Sequence, residues 1–106
     1  MLIDLDNLKE REVVPGYKGK FVHSENMTLA YWNITAGAPL PEHSHYHEQV
    51  VNVLEGMLEL TVEGETHVLT PGSVVVIPPD VPHSGKAQTT CKVIDVFHPI
   101  REDYKQ

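Results

Sequence analysis

Apolar and polar residues alternate with a period of two along most of this chain, in short runs separated by Gly, Pro, Asn and Asp. Lys20 to His23 and Met27 to Ile34 read as two strands divided by the polar Ser24-Glu25-Asn26 turn, which predicts a hairpin. Trp32 shares a face with Ala30 and Ile34, the placement of a residue that fills a barrel. Gly37-Ala38-Pro39-Leu40-Pro41 is predicted to break the chain. Gln49 to Leu54 is a strand with Gln49, Val51 and Val53 on one face and Val50, Asn52 and Leu54 on the other. After Glu55-Gly56, the apolar Leu58, Leu60 and Val62 alternate with Glu59 and Thr61, the pattern of a half-exposed antiparallel strand. Thr66 to Leu69, Val74 to Ile77 and Thr90 to Phe97 are further strands, set off by Glu63-Gly64-Glu65, by Pro71-Gly72 and by the proline-rich turn at residues 78–82. No stretch of about 10 residues carries a 3.6-residue period, so the reading is an all-β sandwich or barrel. Residues 1–19 are less regular. Leu2, Ile3, Leu5 and Leu8 among acidic residues suit either a helical turn or an extended arm, and both stay open.

A chain of 106 residues has room for one domain, with its core shared between two sheets or completed by a partner. We divide it into an N-terminal arm (1–19), a barrel (20–100) and a C-terminal tail (101–106). The formal net charge of −7, without a Lys/Arg cluster, argues against nucleic acid or an anionic membrane as partner. Cys91 stands alone and cannot form an intrachain disulfide. Asp4 and Asp6 lie where a secretory signal would be basic, so a cytoplasmic location is expected. No run approaches the ~20 apolar residues of a membrane span.

Chemistry concentrates in Glu42-His43-Ser44-His45-Tyr46-His47-Glu48-Gln49. Two His separated by one residue share a strand face with Cα atoms about 6.6 Å apart, near enough for both imidazoles to reach one ion at roughly 2.1 Å. A straight strand would carry position 49 about 20 Å from His43. Tyr46-His47-Glu48 must therefore turn if Gln49 is to join, and His47 is the rival third ligand if the strand ends there. His83 arrives from a distant strand behind a Pro-fixed turn, which suits a site drawing ligands from more than one segment. His23, His67 and His98 have no ligand-spaced neighbour and are read as solvated or hydrogen-bonded. In the last strand Cys91, Val93, Asp95 and Phe97 share one face, and Ile94 and Val96 the other. A carboxylate among apolar neighbours is costly, so Asp95 is a candidate general acid/base unless it faces solvent at the rim. Arg101 could hold a substrate carboxylate bidentately, or pair with Glu102 or Asp103. The apolar Ile94 and Val96 predict a covered outer face and hence a homodimer.

The frame of Gly37, His43-x-His45, Gln49 and Gly56, then Gly72, Pro78 and His83, resembles the two motifs of the cupin superfamily. The resemblance implies a single-domain jelly-roll barrel, the double-stranded β-helix. It also implies a metal set of His43, His45, Gln49 and His83, with the family spacing favouring Gln49 over His47. The chain departs from the pattern where Gln49 replaces the usual Glu, Asp80 the usual Gly and Ala87 the usual Asn. Three neutral imidazoles and a neutral amide would leave one divalent ion (Ni, Zn, Mn, Fe or Co) with its full charge, a centre suited to anions. The C-terminal Asp95-Val-Phe97-His-Pro-Ile-Arg101-Glu-Asp-Tyr104, together with the His-rich stretch, is similar to the pectin-degradation cupins of the KdgF type, from about residue 17 onward. That similarity implies a metal-dependent conversion of 4,5-unsaturated uronates into linear ketonised forms. Asp95 would then shuttle a proton, Phe97 would pack on the sugar and Arg101 would hold the substrate. A non-catalytic metal- or ligand-binding cupin and a cupin dioxygenase are the alternatives. A DNA-binding regulator is not, because the barrel consumes the chain.

Overall fold

Among the described residues, the alternation along the chain becomes ten strands in two facing antiparallel sheets. The computed structural model describes residues 1–105. The strands are β1 (Arg11–Val14), β2 (Tyr17–His23), β3 (Thr28–Ile34), β4 (Pro39–His43), β5 (Glu48–Glu55), β6 (Leu58–Val62), β7 (Glu65–Leu69), β8 (Val74–Ile77), β9 (His83–Ala87) and β10 (Cys91–His98). The larger sheet runs β1-β2-β3-β10-β5-β8 and the smaller β4-β9-β6-β7. Helical structure among the described residues is limited to single 3-10 turns at Leu5–Asn7 and Glu102–Tyr104. None of it is long and apolar enough to cross a membrane.

The inward positions are those the two-residue period selects. Ala30, Trp32 and Ile34 of β3, Val51 and Val53 of β5, and Cys91, Val93 and Phe97 of β10 are buried. From the other sheet Leu58, Leu60, Leu69 and Ala87 meet them. The β2–β3 hairpin forms as anticipated, but it is longer. Tyr17 pairs with Ile34, and its ring packs edge-on against Trp32 with centroids 6.2 Å apart. Part of the expected N-terminal arm is therefore sheet, because Arg11 to Val14 pairs with β2 and closes the larger sheet's edge. The expected break at residues 37–41 is also only partial. Pro39 and Leu40 pair with Lys86 and Gly85 of β9. Prolines are tolerated there because β4 is an edge strand, with one side free of ladder bonds.

Two turns with a left-handed residue hold neighbouring segments in place. Gly56 lies at φ 87°, and a Cβ there would overlap the Thr90 carbonyl and the Cys91 sulfur. This glycine lets β5 turn beneath the start of β10. Asp80, standing where a glycine is usual, has φ 64°, a left-handed conformation that Asp accepts better than most residues. Its backbone N–H donates to the His45 carbonyl at 2.8 Å, so the proline-rich turn pins the His-rich loop across the mouth of the barrel.

Candidate metal centre

Strand pairing, turn geometry and tautomer chemistry together bring the His side chains to one point. The β4–β9 register sets His43 directly opposite His83, with ring centroids 4.2 Å apart. His45 is not the second residue of a strand-face pair, as its spacing suggested. β4 ends at His43 and His45 sits in the loop pinned by Asp80, which swings its ring to 5.0 Å from that of His83. The chain then bends at Tyr46 and His47, as a contribution from Gln49 requires. At the start of β5 the Gln49 Oε1 lies 3.1 Å from His45 Nε2.

Each imidazole is oriented by a carbonyl behind it. Nδ1 of His43 faces Pro41 O at 2.9 Å, that of His83 faces Val81 O at 2.8 Å, and that of His45 faces His47 O at 3.2 Å. A neutral imidazole donating through Nδ1 keeps its Nε2 lone pair free, the arrangement that prepares histidine for a metal. Two details suit a cation at this point. His83 Nε2 is buried without any hydrogen-bond partner, a costly state for a polar atom. Both nitrogens of His45 face acceptors, although a neutral ring has one N–H to give. Burial, and then the positive charge of Arg101, push the His45 pKa down to about 4, so protonation does not resolve the conflict near neutral pH. A shared cation would. Ligand atoms of His43, His45 and His83 lie within 4.8 Å of one another. The His45–Gln49 separation of 3.1 Å falls in the roughly 3.0–3.4 Å expected between adjacent ligands about 2.1 Å from one ion in octahedral or tetrahedral geometry.

His47, the rival to Gln49, is occupied elsewhere. Its Nε2 lies 3.2 Å from Ile100 O, where it supports the segment leading into Arg101, and its ring stacks on Tyr46 at 4.0 Å.

Beside the imidazoles a cavity of about 350 Å³ opens between the sheets, lined by His43, Gln49, His83, Asp95, Phe97 and Arg101 among others. Asp95 is buried, not at a solvated rim. Its Oδ2 accepts from the Trp32 indole N–H at 3.0 Å, while Oδ1 is buried without a partner. Desolvation raises its pKa to about 7, against the opposing pull of the Gln49 amide, Trp32 and Arg101. The Gln49 amide is near enough to oppose that rise without meeting the geometric limits of a hydrogen bond. Phe97 is buried and meets the His45 ring edge-on at 5.7 Å. Arg101 takes the local partner named as its alternative: Nε and Nη2 donate to Asp103 Oδ1 and Oδ2 at 2.9 and 2.8 Å.

Three contributors carry no signal of their own in the local pattern. Trp32 is core, as expected, but its N–H also fixes the orientation of Asp95; a buried indole N–H usually has a partner, and that is the one hint the sequence offers. Tyr104 packs under the Arg101 guanidinium at 4.2 Å. Thr28 Oγ1 accepts the Arg101 backbone N–H at 2.9 Å.

Comparison with known proteins agrees with this architecture. Residues 30–97 match the cupin domain family. The structure is similar to an RmlC-like cupin from Shewanella frigidimarina, with TM-score 0.89 and 30% identity over 93% of this chain and 90% of that one. It is also similar to KdgF from Halomonas sp., with TM-score 0.85 and 32% identity over 90% and 89% of the two chains. Quercetin 2,3-dioxygenase of Bacillus subtilis is 43% identical over 51 residues, which are 48% of this chain and 15% of that protein. With its two-sheet barrel, its inward histidines and a family match that spans β3 to β10, this chain belongs to the cupin family.

Proposed function

We propose that the protein is a metal-dependent cupin enzyme that converts 4,5-unsaturated uronates to their linear keto forms. The observation that carries the proposal is Asp95: a buried carboxyl with one oxygen tied to Trp32 and the other free, in the same cavity as His43, Gln49, His83 and Arg101. The similarity to KdgF from Halomonas sp. supports the choice of substrate. His43, His45, Gln49 and His83 are the metal ligands in this reading, and Zn, Ni, Mn, Fe and Co all suit three imidazoles and one amide oxygen. When bound, a divalent ion supplies Lewis-acid stabilisation for negative charge developing on an enolate oxygen.

The chain's own residues supply the remainder. Arg101 binds the carboxylate, and Phe97 gives the sugar ring an apolar wall. The reaction is an isomerisation. The 1-hydroxyl loses its proton and becomes an aldehyde as the C1–O5 bond breaks, and the enolate left across O5, C5 and C4 takes a proton at C4. Asp95 Oδ1 is the group that carries this proton. A carboxyl with a pKa near 7 is matched to such transfers at neutral pH.

A second reading is supported by the inner wall of the cavity, where Tyr17, Trp32, Ile34, Leu58, Leu60 and Val93 are apolar. An aromatic ligand would suit that surface, as in a dioxygenase using redox-active iron or copper, or a cupin that binds without turnover. The free, buried Cys91 is in keeping with a cytoplasmic location, and we also propose a homodimer.

Anaerobic turnover of an unsaturated uronate, followed by loss of its conjugated-alkene absorbance with metal content measured on the same sample, tests the leading proposal. Asp95→Asn should retain metal and lose turnover by about 10²-fold or more. Wild-type turnover in that variant would remove Asp95 from the mechanism. Oxygen-dependent consumption of an aromatic substrate would favour the dioxygenase instead.

A further inference from the structure

The two partners of the Arg101–Asp103 pair are held very differently. The Arg101 side chain is 11% exposed and that of Asp103 is 60% exposed. Arg101 is fixed at three points that do not involve Asp103. Its backbone N–H is bound by Thr28 Oγ1, and its guanidinium carbon lies 4.8 Å from the Phe97 ring centroid and 4.2 Å from that of Tyr104. Besides the two bonds from Arg101, the Asp103 carboxylate is held only by its own backbone N–H, with no ring packed against it among the described residues. The cation is therefore a fixture of the wall, and the anion can rotate away into water. Both residues line the same cavity as His43, His83 and Asp95.

We infer that Asp103 is a resident competitor for the anionic group of the ligand, filling the Arg101 fork until a carboxylate from the ligand displaces it. This inference rests on the reading of Arg101 as the group that holds the ligand's carboxylate. The fork presents two parallel N–H donors, and the bidentate geometry that Asp103 satisfies is that of any planar carboxylate. An incoming carboxylate exchanges one ion pair for another, so its net gain from Arg101 is small. A neutral ligand cannot make the exchange, and it leaves the pair closed. Asp103 thereby lowers affinity for all carboxylates by a similar factor and leaves neutral ligands untouched. It sets the affinity of the site for anionic ligands and is not a catalytic residue.

The exchange can be observed at Arg101 itself, through its Nε–Hε nuclear magnetic resonance signal in the metal-loaded protein. Acetate serves as a bare carboxylate probe, galacturonate as an unreactive uronate and galactose as its neutral counterpart. In Asp103→Asn, acetate and galacturonate should shift the Arg101 signal at about tenfold lower concentration than in the parent protein, a change that corresponds to about 1.4 kcal/mol. Galactose should be unaffected. Asp103→Ala provides the same comparison without the residual amide. Glu102→Gln removes an equal charge from the neighbouring position, where the carboxylate meets Lys105 at 3.6 Å, and should leave the acetate response unchanged. Equal or weaker acetate binding in both Asp103 variants would overturn the inference and make Asp103 a positioning residue for Arg101. A gain matched by Glu102→Gln would overturn it too, by reducing the effect to net charge. Galacturonate binding no better than acetate in every protein would count against the uronate reading alone, because the acetate comparison tests the exchange without any sugar.

Discussion

Asp95 is buried with one carboxylate oxygen bound to an indole, and the desolvation that outweighs this bond couples its protonation to folding. With a folded-state pKa near 7 against 3.8 for the free side chain, the folded protein holds a proton that the unfolded chain releases. Asp95 therefore contributes stability that is fully present below about pH 4 and is lost as pH rises through 7. In metal-free protein, the unfolding free energy of the parent relative to Asp95→Asn should fall across this window and level off above it. A pKa unit corresponds to about 1.4 kcal/mol, which puts the total on the order of a few kcal/mol. Denaturant titrations at a series of pH values measure the slope, and a pH-independent difference would show that burial does not perturb Asp95 in solution. At this scale the sequence is informative where parity decides the outcome. Asp95 shares its face with Val93 and Phe97, and its inward direction follows. That its partner is Trp32 is not legible, because the two lie 63 positions apart and meet only through the pairing of β3 with β10.

Among the elements, β4 and the loop after it show where local pattern stops being a guide. His-x-His spacing implies a strand-face pair, yet only His43 is in the strand, and His45 reaches the centre because Asp80 holds the loop by a backbone hydrogen bond from a turn more than thirty residues away. Spacing identifies the participants, while their geometry depends on tertiary contacts. The same contacts separate His47 from its neighbours. His83→Ala should abolish stoichiometric metal binding, whereas His47→Ala should retain the metal and loosen the segment around Ile100 and Arg101, raising KM for an anionic ligand. Metal analysis after dialysis, paired with steady-state kinetics, separates these outcomes. Loss of metal from His47→Ala as complete as from His83→Ala, with retention in Gln49→Ala, would reassign the third ligand. The C-terminal tail is likewise more than its pattern suggests. Tyr104 stacks against Phe21 with centroids 4.6 Å apart, so a segment with no strand pattern becomes part of the cavity wall.

Across the whole molecule, the larger sheet has a second apolar surface that the barrel does not cover. The register aligns Val22, Leu29, Val96, Val50 and Val76 in one row across five strands, and Val74 and Val76 at its edge are each 58% exposed. A continuous apolar row of this kind marks an interaction surface, and a second copy meeting it about a two-fold axis would bury it on both subunits. Sedimentation should give a dimer at micromolar concentration, and Val76→Lys should shift it toward monomer without releasing metal; a monomeric parent of full stability would exclude the arrangement. Ile94 and Val96 point to this face from sequence, but its extent needs the strand order, which joins residues from four parts of the chain. Trp32 has a practical consequence at the same scale. It is the protein's single tryptophan, and its indole N–H is bonded to the carboxyl proposed to carry the proton. Tryptophan-selective emission of the unlabelled protein therefore originates beside Asp95, and it should follow the charge on that carboxyl and whatever enters the cavity.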